Sequence, residues 1–173
     1  MPVFIGGCHR SGTTLLGALL GAHPRCLTTP ESQFKTDALE GAGVPENHQE
    51  LLNFVHRAKQ MRSLSRWELD PATLDVGAVT RFADLLLDFV RAYGETVNKT
   101  SFDVWIDHTP KNIWHLCLLL SEFPDAKAIH IIRDGRAVAA SVMPLDWGPN
   151  TIVASAHWWV HHVAFGLAAG PVP

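Results

Sequence analysis

Gly7-Cys8-His9-Arg10-Ser11-Gly12 has the Gly-x-x-x-x-Gly spacing of a phosphate-binding loop, and Thr13 and Thr14 follow it. Such a loop, set between a strand and a helix, aims several backbone N–H groups at one point, where the helix dipole adds partial positive charge. Ser11, Thr13 and Thr14 add hydroxyl donors, and Arg10 adds a planar cation that binds two oxygens at once. This suits a phosphate-like anion; the plainer alternative is a glycine turn that only caps a helix. Triphosphate chemistry draws on a lysine after the second glycine together with magnesium. Thr13 stands in that place, and the cation of the loop is Arg10. No acidic residue following an apolar strand offers itself as a metal partner unless Asp107 or Asp134 serves. The pattern therefore fits an anion with less charge to neutralise.

A second set lies further on. Arg133 follows the apolar run Ala128-Ile129-His130-Ile131-Ile132, at the carboxyl end of a strand, where open α/β sheets bind ligands. Ser141 is eight positions later, about 12 Å away if the stretch were wholly helical and closer with a loop at Arg133. Both can then reach one phosphate. The alternative makes Arg133 and Asp134 a surface turn and Ser141 a residue of a helix face.

These residues need elements to position them. Val3–Ile5 reads as a strand, 13–22 as a helix closed by Pro24, and 26–29 as a second short strand. Residues 30–50 read as loop, with Gly41, Gly43 and Pro45. Leu51, Val55, Ala58 and Met61 recur at helical spacing, which predicts a helix over about 47–62, followed by a polar connection over 63–76. Phe82, Leu85, Leu86, Phe89, Val90 and Tyr93 share one face of a further helix. Val104–Ile106 reads as a strand, Ile113–Phe123 as a helix stopped by Pro124, and Ala128–Ile132 as a buried parallel strand. Helices are expected over 137–143 and 150–168. Strands alternating with helices imply an α/β domain with a mostly parallel sheet flanked by helices in three layers.

Composition narrows the function classes. The 173 residues fit one domain; 47% are hydrophobic and 18% charged, which excludes a disordered chain. A net charge of -3 argues against a broad nucleic-acid surface, so the anion must be held by a local site. Cys8, Cys26 and Cys117 have neither metal nor redox spacing, and their odd number suits a reducing compartment. With no signal peptide in view, a cytoplasmic location is expected. Residues 152–173 carry no formal charge; a membrane span is allowed by length, but His157, His161 and His162 make a buried or half-buried helix the expectation. His157 and His161 sit four apart like a metal-ligand pair, yet no third ligand is suggested and no metal is expected. Trp158-Trp159 suits a core-facing helix, with one indole as a candidate pocket wall.

Taken together, Phe4-Ile5-Gly6-Gly7-Cys8-His9-Arg10-Ser11-Gly12-Thr13-Thr14-Leu15-Leu16 resembles the 5'-phosphosulfate loop of sulfotransferases. Ile129 to Ser141 resembles their 3'-phosphate block, and Trp105-Ile106-Asp107-His108-Thr109-Pro110-Lys111-Asn112 resembles the acidic-Lys-Thr-Pro segment of the bacterial and carbohydrate-type branch. The resemblance implies a P-loop-like fold and 3'-phosphoadenosine 5'-phosphosulfate as donor, with no metal. It assigns Arg10, Ser11, Gly12, Thr13, Thr14, Arg133 and Ser141 to that donor, with Arg10 neutralising the bridging oxygen. An acceptor hydroxyl needs a general base. Some branches carry a glutamate at the place of Glu31, others a histidine on the strand of His108, so both are catalytic candidates. The branch resembled has lysine where His108 stands, and Lys111 or Lys35 is a candidate for the displaced charge.

The acceptor is expected to be a small molecule, carbohydrate or peptide, met mostly by residues 32–76. Sulfotransferases continue past the Arg…Ser block with a further strand and a basic loop. The resemblance therefore implies a single domain, 1–173, lacking the family's C-terminal part, with exposed apolar surface that favours a homodimer. Two rivals stay open: a non-catalytic nucleotide-binding remnant and a P-loop small-molecule kinase.

Overall fold

The computed structural model describes residues 1–69, 77 and 79–169. Strands β1 (Pro2–Gly7), β2 (Cys26–Thr28), β3 (Val104–Asp107) and β4 (Lys127–Ile131) form one parallel sheet in the order β2-β3-β1-β4. Register pairs Val3 with Ile106 and Ile5 with Ile129, so β1 is flanked on both sides. Its alternation sorts the two faces. Phe4 enters the large core with Trp105, Phe34, Phe54, Phe89 and Phe123. Val3 and Ile5 face the other way, onto Ile106 and the partly buried Leu16 and Leu20 of α1 (Thr13–Gly21). Helices therefore cover both faces, and the expected α/β layering is what the sequence builds.

The crowded face is supplied by α2 (Gln33–Ala42), α3 (His48–Lys59), α4 (Arg62–Ser65) and α5 (Phe82–Thr96). Each buried aromatic ring here contributes about 1.5–3 kcal/mol by leaving water. Phe34 alone meets Phe54, Trp67 and Phe89 at ring separations of 6.4, 5.5 and 5.7 Å. Next come a 3-10 turn (Pro110–His115), α6 (Leu116–Glu122), α7 (Gly135–Val142) and α8 (Ile152–Ala168).

The main departure from expectation is α2, a helix where 30–50 read as loop. Its buried face includes Lys35, which breaks the apolar pattern, and Gly43 is not interior: it closes the helix at φ 70°. The helix over 47–62 divides into α3 and α4, and that over 113–123 begins as the 3-10 turn started by Pro110. The polar connection over 63–76 includes the end of α4 and a buried Trp67, while 70–76 lie outside the described residues. In α8 only Ser155 and His162 are fully buried, and Ile152, Val153, Val160, Phe165 and Leu167 are exposed. Among the described residues no helix is long and apolar enough to cross a membrane.

Candidate active site

The loop from β1 to α1 curls because two of its residues take left-handed backbone, Arg10 at φ 69° and Gly12 at φ 100°. Glycine adopts this freely; an arginine there carries strain of the kind found at binding loops. No side chain caps α1, so its first N–H groups remain available to an anion. Ser11 is buried, and its Oγ has no partner among the described residues. Thr13 is buried, while Thr14 is exposed and lines the cleft.

Arg133 and Ser141 come back to this loop across 123 and 131 residues of chain. Arg133 Nη1 donates to the Arg10 carbonyl at 2.8 Å, and Arg10 Nε donates to Ser141 Oγ at 2.9 Å. Trp159 supports the junction: its Nε1 donates to the Arg133 carbonyl at 2.9 Å. Asp134 caps α7 by accepting from Arg136 N and binds the Arg136 guanidinium, which holds its carboxyl at about 2.

The cleft above the loop has a volume of about 770 Å³. Glu31 lines it, and burial raises the Glu31 carboxyl above its ordinary pKa, opposed by His108 and Arg66. Gln33 Nε2 donates to Glu31 Oε2 at 2.9 Å. His108 is placed elsewhere. It is nearly buried and packs against Gly17 so closely that a Cβ there would lie 2.8 Å from the ring. It is not among the cleft-lining residues.

The two lysines of interest also part company. Lys35 is wholly buried, with Nζ donating to Asp107 Oδ2 at 2.6 Å and Asn112 Oδ1 at 2.8 Å. Burial pushes Asp107 upward, but Lys35 and hydrogen bonds from Ser32 and Thr109 overcome it and leave the carboxyl at about 2. Lys111 instead lines the cleft, bound to Asp37 at 2.7 Å and Glu40 at 3.1 Å. Neither Asp107 nor Asp134 faces the cleft.

A family model described as "Sulfotransferase family" matches residues 2–168. The chain belongs to the sulfotransferase family. It is 32% identical over 148 residues to protein-tyrosine sulfotransferase 1 of Danio rerio, an alignment covering 83% of this chain and 36% of that protein. To nodulation protein NoeE of Sinorhizobium fredii it is 32% identical over 146 residues, 84% and 31% of the two chains. The sulfotransferase domain from the Synechococcus PCC 7002 olefin synthase shares the fold with a TM-score of 0.60 at 22% identity, covering 98% of this chain and 62% of that one. The sulfotransferase domain from the curacin biosynthetic pathway gives 0.58 at 18% identity, with 100% and 65% covered. The chain thus spans about a third of the length of these two curated relatives.

Of one side of this cleft, sequence reasoning had offered only one indole of the Trp158-Trp159 pair. His9, Trp114, Trp147, Trp158 and His162 line it as a continuous run of rings. His9 stacks on Trp158, centroids 5.7 Å apart at 19°. Burial first, then His162 and Lys111, push His9 down to about 4, so the ring is neutral near pH 7. Of the tryptophan pair, Trp158 faces the cleft while Trp159 packs on Gly135. Adjacency could not separate them; position on a 3.6-residue helix does. His157 and His161 are exposed, and among the described residues no three His, Cys, Asp or Glu side chains are grouped to hold a metal.

Proposed function

We propose that this chain carries the donor site and reacting groups of an enzyme that moves a sulfuryl group from 3'-phosphoadenosine 5'-phosphosulfate to an acceptor hydroxyl or amine. The observation that carries the reading is the junction of Arg10 with Arg133 and Ser141 beside an uncapped helix start. The fit to the donor rests on the orphaned, buried Ser11 Oγ, which needs an acceptor atom such as a phosphate oxygen. When bound, the donor supplies the sulfo group and a phosphate leaving group.

Ser11, Gly12, Thr13 and Thr14 bind the 5'-phosphate through hydroxyls and N–H groups. Arg10 neutralises charge on the bridging oxygen as the acceptor oxygen attacks. Arg133 and Ser141 bind the 3'-phosphate. Glu31 takes the proton of the acceptor: it lines the cleft, and its raised pKa brings it nearer to neutral pH, as a general base requires. His108 is the weaker candidate because the cleft does not reach it. One domain over 1–173, a cytoplasmic compartment and a homodimer through the apolar outer face of α8 belong to the same proposal. Sedimentation velocity checks the dimer.

Calorimetry tests the donor. The chain is titrated with 3',5'-adenosine bisphosphate, the desulfated product, and with ATP, each with and without magnesium. Metal-independent preference for the bisphosphate is expected. Tight binding of Mg-ATP alone would sink the reading in favour of a kinase.

A further inference from the structure

His9 stands inside the glycine loop, one residue before Arg10, and it lines the cleft. Neither of its ring nitrogens has a hydrogen-bond partner among the described residues, and neither is sealed from solvent as His162 Nε2 is. The ring is held on its faces instead. Trp158 stacks on it at 5.7 Å and 19°, Trp147 lies tilted at 5.6 Å, and the His162 ring meets it edge-on at 5.9 Å. A cation within about 6 Å of an indole centroid is attracted to the negative face of the ring. The two tryptophans therefore suit an imidazolium at least as well as an imidazole.

The empty cleft keeps that cation from forming. Arg10, Arg66, Lys111 and Arg133 line it against a single carboxylate, Glu31, among the described residues. Burial, then His162 of α8 and Lys111 of the 3-10 turn, disfavour the charged ring and hold it down at about 4. Lys111 is tied to Asp37 and Glu40, and Cys8, the next residue in the loop, is uncharged because burial pushes its thiol up to about 12. Asp146, beside Trp147, and His157 and His161 of α8 are exposed and do not line the cleft. An anion reverses the balance. A phosphate or sulfo group seated on the N–H groups of the loop brings negative charge beside the ring. Opposite charge at such range raises an imidazole pKa by about 1–3 units.

We propose that His9 is a proton-coupled donor-binding residue: as the phosphosulfate end of the donor enters the loop, the ring takes a proton from solvent and its new N–H donates to an oxygen of that group, with Trp158 and Trp147 on its faces. This rests on the donor reading above. No covalent bond of the donor changes in the step. One proton passes from solvent to the imidazole on binding and returns when the product leaves. The step gives a second cation to a loop whose lysine position holds Thr13. That cation exists only while an anion is present, so it does not repel Arg10 across an empty site.

NMR of the chain labelled at histidine Cε1, with the His9 signal assigned through the backbone, reads the proton directly and needs no variant. The His9 titration midpoint is measured free and saturated with 3',5'-adenosine bisphosphate. Saturation should raise it by about 1–3 units, while the midpoint of exposed His157 stays in place. Calorimetry gives a second reading. The wild-type advantage over His9→Gln in bisphosphate affinity should grow about fivefold from about pH 8 to about pH 5.5, because binding that takes up a proton strengthens as pH falls. Setting the two chains side by side cancels the titration of the ligand's own phosphates near about 6. An unmoved His9 midpoint with the bisphosphate bound overturns the inference, and so does an affinity ratio that is flat in pH. If the bisphosphate does not bind at any pH, the donor reading fails. Inorganic pyrophosphate, which needs only the loop, then decides for His9: a raised midpoint supports the proton uptake, and an unmoved one overturns it.

Discussion

Two polar clusters stand side by side at the carboxyl end of the sheet, and they are built on opposite terms. Behind β3, Lys35, Asp107, Asn112, Ser32 and Thr109 are buried and bonded to one another. Beyond β1 and β4, Arg10 and Arg133 are exposed, Ser11 Oγ lacks a partner, and Arg10 is held in left-handed backbone. The first cluster has nothing left to bind. Ser32 N and Oγ reach Thr109 and Asp107, so it anchors the loop that carries Glu31. The second cluster has donors to spare. Satisfied polar groups make a frame, and unsatisfied ones make a site.

That contrast is breakable by substitution. Lys35→Met leaves Asp107 buried and unpaired, and should cost about 3–5 kcal/mol, read by urea unfolding. Adding Asp107→Leu should recover much of the loss, because a buried pair is often no better than apolar groups of its size. Arg10→Ala does the reverse: stability stays within about 0.5 kcal/mol, while transfer falls on the order of 10²–10³-fold with the bisphosphate still bound. Arg133→Ala should weaken bisphosphate binding by about 1.5–3 kcal/mol in calorimetry. If the two arginine variants behave alike, the division between sulfo and 3'-phosphate ends is wrong.

The smallest effects are in pH. As the proposed base, Glu31 would act in its charged form, and burial raises its pKa, so transfer should fall with acid sooner than for an ordinary carboxylate. Glu31→Gln should abolish that limb of the profile. The stability signs are opposite at the two clusters. A raised Glu31 favours the fold below its unfolded pKa, an advantage lost as pH rises through the folded value. Asp107, depressed to about 2, contributes stability above its unfolded value of 3.8 that is lost as pH falls toward 2. Acid unfolding of the wild type beside Asp107→Leu checks the second sign.

Legibility in the sequence followed the same division. Arg10, Ser11, Thr13 and Thr14 lie within five positions, and Arg133 follows the end of β4 while Ser141 lies in the last turn of α7, eight positions later. Their spacing is nearly their geometry, so the glycine loop and the parallel α/β order could be read directly. The helix α2 could not, because a buried lysine on its inner face imitates a solvated one. Lys35 and Lys111 are the same residue type with opposite fates, one sealed against Asp107 and one on the cleft. His108 sits on the strand end where a base was expected, yet Gly17 lets α1 close over it.

By itself, then, the sequence determined a glycine loop containing Arg10, a strand followed by Arg133 and a helix with Ser141, and most of the strands and helices around them. Local backbone preference and hydrophobic period act within a turn or two of chain. Only the tertiary structure decided which carboxylate faces the cleft, which lysine is hidden, and that His9, Trp114, Trp147, Trp158 and His162 make one wall. Those outcomes depend on packing between segments far apart in the chain, 72 residues for Lys35 and Asp107. Packing is set by the shape and burial of the whole, which no local spacing encodes.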